Sequence, residues 1–260
     1  MRLAGGALAE VFLETAFRMK PDAVTLDIDQ AFESAIRARR ARPAFKGYRG
    51  GAKYPFPGST CISIDSEIVH GIPSKRKLIS GQIVGIDCGL ELDGWYSDMA
   101  ASFLIGEVSD IKRKLWRVTL EALYVGIAQA IVGNRINDIG GAVQDYVEKQ
   151  GFSVIRGLVG HGIGTALHED PAVPNFRNQD GNTVIRPGMT IAIEPMISAG
   201  DYRMKTLSDG WTAATKDASP SCHFEHTIAV TENGPEILTL LPDGRDPWEV
   251  ITGVTRDLRA

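Results

Sequence analysis

Two apolar, strand-like runs in different parts of the chain both end in an acid, and this most narrows what the chain can fold into. "GQIVGID" covers residues 81–87 and "GMTIAIE" covers 188–194. Each opens on glycine, alternates apolar residues, and reaches its acid six positions later, at Asp87 and Glu194. Such flanks bury a carboxylate, and burial strips its water at a cost that only a partner returns. Two helical stretches precede each run, so the repeat predicts two related halves whose acid-ended strands meet near a pseudo-two-fold axis. Glycine followed by an alternating run is also an ordinary strand opening, so the match alone leaves the duplication open.

Apolar spacing predicts a helix over about residues 2–18, with Leu3, Ala7, Leu8, Val11 and Phe12 on one stripe. A second starts near Thr25, a third after Asp110, and a fourth runs from Asn137 as N-cap to Gly151 as stop. Strands are predicted at 60–65, 82–87, 94–103, 153–159, 190–194 and 223–231. The residues "CGLELDGWY" after Asp87 then form a turn that brings Asp98 back to the same place.

Asp98 and Glu225 join Asp87 and Glu194 as acids at strand-like positions, with too few Lys or Arg nearby to pair with them all. Buried acids without such partners bind cations. Of five histidines, His161 stands out, flanked by Gly160, Gly162 and Gly164, which allow close approach to a cofactor. The same run fails as a dinucleotide loop, because Thr165 stands where glycine or alanine is needed. No Gly-x-Ser-x-Gly elbow occurs, which argues against an α/β-type serine hydrolase. Four carboxylates and an imidazole form a hard donor set suited to Mn(II), Fe(II), Co(II) or Zn(II), and to two ions rather than one. Ions about 3.5–4 Å apart, a spacing general to two-metal hydrolases, activate a water for attack on an amide.

Composition closes off other classes. A net charge of −4 leaves no polybasic face for nucleic acid. No apolar run nears the ~20 residues a bilayer requires. Glu10 and Glu14 make the N-terminal stretch an amphipathic helix rather than a signal peptide. Three cysteines without C-x-x-C spacing fit a reducing cytoplasm.

The ordered set Asp87, Asp98, His161, Glu194 and Glu225, with its flanks, closely resembles the methionine aminopeptidases, dinuclear-metal exopeptidases of pita-bread fold. Matching stretches are "VHGIP" (69–73), "GIDCGLELDGWYSD" (85–98), "VGHGIGTALHEDP" (159–171), "GMTIAIEPM" (188–196), "DGWTAATKD" (209–217) and "FEHTIAVTENG" (224–234), with "MRLAG" at the start. The likeness implies an α+β fold with a curved antiparallel sheet backed by helices. It also implies one catalytic domain over 1–260, with halves of roughly 1–108 and 109–250. Glu194 and Glu225 are too close in sequence for the helical insertion of the type II branch. The chain also lacks the Cys/His-rich extension of some eukaryotic members, so the compact type I form is expected.

By the same resemblance Asp87 chelates one ion, His161 and Glu194 hold the other, and Asp98 and Glu225 bridge them. Glu194 takes the proton of the attacking water, His70 contacts the scissile nitrogen, and His168 binds the carbonyl. Tyr48, Phe56, Cys61, Leu167 and Trp211 fall on the apolar wall for the methionine side chain. Phe56 and Leu167 depart from the common residues there, and the 48–56 loop is longer than usual. A monovalent-cation loop would fall near Asp65 and Ser221, with aspartate in place of asparagine. The expected activity is removal of initiator methionine from nascent chains with a small second residue, by a cytoplasmic monomer, at the ribosome or free of it. Two relatives of the same fold stay open as alternatives. One is an Xaa-Pro dipeptidase or aminopeptidase P, which usually adds an N-terminal domain; the other is a non-catalytic peptide-binding member.

Overall fold

The computed structural model describes residues 1–178 and 182–254. Helices form where the apolar spacing places them: α1 (Arg2–Thr15, continued by a 3-10 turn, Ala16–Arg18), α2 (Thr25–Ala38), α3 (Asp110–Ile127) and α4 (Ile136–Lys149). In α1, Leu8, Val11 and Phe12 are buried, and Phe12 meets Phe32 of α2 edge to face with ring centroids 5.2 Å apart. Leu3, expected on that stripe, is instead 79% exposed in the first turn. The start of α4 also differs from expectation. Arg135 is the N-cap, its N–H donating to Asp138, while Asn137 lies inside the helix and accepts from the Asn178 N–H. Gly151 ends the helix with φ 85, a left-handed conformation that glycine adopts freely. A short α5 (Pro247–Thr252) was not expected.

The strands are β1 (Arg42–Pro43), β2 (Cys61–Ile64), β3 (Glu67–Val69), β4 (Ile83–Leu92), β5 (Trp95–Leu104), β6 (Ser153–Val154), β7 (Gly160–Gly162) and β8 (Glu169–Val173). There follow β9 (Thr190–Ile193), β10 (Met196–Ser198), β11 (Met204–Thr206), β12 (Ala213–Thr215), β13 (Ser221–His223), β14 (Glu225–Thr231) and β15 (Gly234–Ile237). Among the described residues the main sheet is antiparallel, in the path β1-β4-β5-β14-β9-β7-β8, with β2 also on β4 and β15 also on β14. Two small sheets, β13-β10-β6 and β11-β12-β3, sit beside it. The helices pair as α1 with α2 and α3 with α4, and with the curled sheet they make the pita-bread architecture.

Three expectations change. β4 continues past Asp87 to Leu92, and the chain reverses only at Asp93-Gly94, where φ 52 and φ 82 give a tight hairpin turn. The segment 153–159 keeps only β6, because the chain bends at Arg156-Gly157. The segment 223–231 divides at Phe224, where the chain passes from the small sheet into the main one. The Phe224 ring is held edge-on by Trp116 at 5.5 Å and Trp248 at 5.4 Å. The acid-ended strands β4 and β9 also do not touch. β5 and β14 lie between them, so the pseudo-axis runs between β5 and β14, and each half supplies an outer and an inner strand.

Register then gathers the acids. Asp87 faces Cys61 on one side and Ala100 on the other, and Ala100 faces Glu225. Asp98 lies two residues from Ala100, and side chains two apart on a strand share a face. His226 faces Ile193, which brings Glu225 and Glu194 together one step further along. His161 faces Ala192, two residues before Glu194. The intervening Ile86, Cys88, Met99 and Ala101 point the other way into the helix-side core, each fully buried. Ile86 and Met99 each contribute about 1.5–3 kcal/mol by leaving water, which anchors the polar face above them.

Candidate metal centre

Asp98 and Glu225 are 4% and 2% exposed, while Asp87 and Glu194 are partly open to a cavity. Among the described residues no Lys or Arg forms an ion pair with any of the four; the only basic side chains paired with them are histidines. His161 Nε2 lies 3.9 Å from Asp98 Oδ2 and 3.7 Å from Glu194 Oε1, and His223 Nε2 lies 3.6 Å from Glu194 Oε2. Two triplets of donor atoms are therefore clustered, Asp98-His161-Glu225 and Glu194-His223-Glu225. Asp87 stands beside them, close enough to Asp98 for the two carboxyls to perturb each other. Asp87 Oδ1, Glu225 Oε1 and His223 Nε2 are buried without a hydrogen-bond partner.

The electrostatics follow from that crowding. Burial, and then the neighbouring carboxylates, push Asp87, Glu194 and Glu225 well above the usual range, and burial brings Asp98 up to about 7. Burial likewise lowers His161 to about 4 and His223 to about 3, so both imidazoles are neutral near pH 7 and offer a lone pair. His161 Nδ1 is 2.9 Å from the Gly162 carbonyl; donating there leaves Nε2 free to face the acids. Orphaned oxygens, hard donors and neutral imidazoles together fit divalent cations. The glycines around His161 serve the strands rather than a cofactor. A Cβ at Gly160 would lie 2.3 Å from the Ala192 carbonyl oxygen, and one at Gly162 would lie 2.2 Å from that of Asp170.

The cavity, about 290 Å³, is lined by the acids and His161 together with an apolar wall. Tyr48, Phe56, Cys61, Leu167 and Trp211 all line it. They belong to an apolar cluster separate from the main core, with Phe56 and Trp211 edge to face at 5.3 Å. The 48–56 loop closes on itself, the Phe56 N–H donating to the Tyr48 carbonyl at 2.8 Å. His70 and His168 also line the cavity. His70 adopts φ 61, unusual for a residue with a side chain, and its ring stands edge-on to Trp211 at 6.1 Å. Gly71 beside it is pressed so closely on the Ile62 carbonyl that a Cβ would lie 2.3 Å from the oxygen. Burial lowers His70 to about 4 and also lowers His168. The His168 ring packs 4.2 Å from that of His161, and its Nδ1 shares a 2.7 Å hydrogen bond with the Tyr48 hydroxyl.

Away from the acids, the Asp65 carbonyl accepts from the Ser221 N–H at 2.7 Å and from its hydroxyl at 3.0 Å. The Lys112 ammonium donates to the Asp65 carboxylate and, at 2.6 Å, to the Gly81 carbonyl. Sequence reasoning assigned no role to His223, nor to Phe45, Leu158 and Met196 of the cavity lining. The signal for His223 was its place two residues before Glu225 on a strand-like run; the other three carry nothing that distinguishes them from core.

The model of Metallopeptidase family M24 matches residues 1–232. The chain is 46% identical to the methionine aminopeptidase of Clostridium perfringens over 93% of this chain and 95% of that relative. It superposes on the crystal structure of a methionine aminopeptidase from Thermotoga maritima with a TM-score of 0.87 and 43% identity, covering 92% of this chain and 94% of that one. An Xaa-Pro dipeptidase from Bacillus anthracis shares the fold at a TM-score of 0.70 and 22% identity, the chain covering 59% of it.

Proposed function

The chain belongs to metallopeptidase family M24, and we infer from the site how it performs the hydrolytic removal of an N-terminal methionine. It is a metallo-aminopeptidase that binds divalent metal. The observation that carries the residue assignment is the convergence of four acids and His161, with no Lys or Arg paired to them among the described residues, in a cavity that also has an apolar lining.

In this reading Asp87 would hold one divalent ion and His161 with Glu194 a second, with Asp98 and Glu225 contributing oxygen donors to both. The ions, when bound, supply Lewis acidity and lower the pKa of water. The chain's own groups do the rest. Glu194 accepts the proton of the attacking water, as its position between His161 and His223 allows. His168, held by Tyr48, donates to the scissile carbonyl, and His70, neutral and braced by Trp211, contacts the amide nitrogen. Tyr48, Phe56, Cys61, Leu167 and Trp211 enclose the methionine side chain. A monovalent ion near Asp65 and Ser221 would share the Asp65 carboxylate with Lys112.

The substrates are nascent-chain N-termini with a small second residue. The working form is a cytoplasmic monomer whose single catalytic domain spans 1–260, in halves of roughly 1–108 and 109–250. No described helix is long and apolar enough to cross a membrane. Asp98→Ala and Glu225→Ala each remove a shared oxygen donor, so metal content by elemental analysis falls from about two ions per chain to one or fewer. Unchanged content in both variants contradicts the assignment.

A further inference from the structure

We propose that His223 is a further ligand of the divalent ion at Glu194 and Glu225, an imidazole facing the opposite oxygen of Glu194 from His161. The inference rests on the reading that the buried acids hold divalent ions.

His223 ends β13, is 2% exposed, and is fixed on every side. It pairs with Met196 in the small sheet. Its N–H donates to the Ser102 hydroxyl oxygen at 3.1 Å, and that hydroxyl donates to its carbonyl at 2.8 Å. Phe224, wedged between Trp116 and Trp248, sets the direction in which the chain enters β14, so His223 and Glu225, two apart, point to the same side. The Nε2 atom so aimed has no hydrogen-bond partner. Its 3.6 Å to Glu194 Oε2 is too long for a hydrogen bond. It is, however, the separation of two donors sharing one ion: with metal–ligand bonds of about 2.0–2.2 Å it corresponds to an angle of about 120° at the metal. His161 stands in the same relation to the other oxygen of Glu194, at 3.7 Å. Glu225 completes the triplet with Glu194 and His223.

Cobalt(II) titrated into metal-free wild-type and His223→Gln protein tests this, with calorimetry for affinity and cobalt-edge X-ray absorption for imidazole count. Wild type at two equivalents gives about one imidazole per cobalt and the variant about half, with one binding constant weakened about ten-fold or more. His223→Asn, smaller still, shows the same loss of imidazole, and the melting curve of each metal-free variant checks folding. An identical imidazole count in wild type and both variants overturns the inference, even with some loss of affinity, because His223 would then only position Glu194. Failure of wild type itself to bind cobalt overturns the underlying reading of the acids instead.

Discussion

Glu194→Gln lowers kcat for methionine release by about 10²–10⁴-fold with the protein saturated in Mn(II) or Co(II), the usual worth of a positioned proton acceptor. The amide keeps the shape of the side chain and one oxygen donor but cannot accept a proton. The backbone is not disturbed, because Glu194 is held through its carbonyl, which accepts from Asn175 Nδ2 at 3.0 Å. KM, set by the apolar wall around Trp211, changes little, so the loss falls on kcat. A loss of less than ten-fold at full metal occupancy would remove Glu194 from the proton-accepting role.

Metal-free Asp98→Asn is more stable than metal-free wild type at pH 7.5, on the order of 2 kcal/mol or a few degrees in Tm, and the advantage shrinks toward pH 5. The sign comes from linkage. The Asp98 carboxyl is raised from 3.8 to about 7 in the folded chain, mainly by burial. Between those values the native state binds more protons than the unfolded one, so the stability Asp98 contributes at low pH is lost as pH rises through about 7. Asp87, Glu194 and Glu225 carry the same sign. His70, His161 and His223 are lowered and carry the opposite sign, so the test is a difference between variant and wild type rather than one pH curve. Adding divalent metal at pH 7.5 inverts the order, since wild type offers a charged carboxylate with two oxygen donors where the variant offers one neutral amide oxygen. Equal melting temperatures with and without metal would show that the acids are already compensated within the chain.

Much of this was visible in short stretches of sequence. The helices follow from apolar spacing, and four of the acids were conspicuous because charge interrupts strand-like runs. What a local pattern cannot carry is which strands become neighbours. Asp87 looked like the end of a strand because its apolar run stops there; in the fold the strand goes on, since Gly89 lies opposite Asp98 and both strands continue to the Asp93-Gly94 turn. β4 and β9 share a pattern yet are kept apart by β5 and β14, an order fixed by long-range pairing. His223 is aimed by the crossing at Phe224, which depends on Trp116 and Trp248, both outside the strand. Asn137 is a good N-cap residue displaced by two positions, because Asp138 takes the Arg135 N–H. α5 does carry a local signal: Asp246 and Glu249 form a capping box, with Pro247 at the first helical position.

In the proposed reading these acids and this cavity serve one reaction, hydrolysis after an N-terminal methionine. It is tested most directly by incubating protein reconstituted with Mn(II) or Co(II) with Met-Ala-Ser, Met-Arg-Ser and Ala-Pro, and quantifying the free amino acid released. Methionine is released from Met-Ala-Ser, with little from Met-Arg-Ser and no alanine from Ala-Pro. Absence of methionine from Met-Ala-Ser by protein with its metal bound, or preferential cleavage of Ala-Pro, would contradict the account.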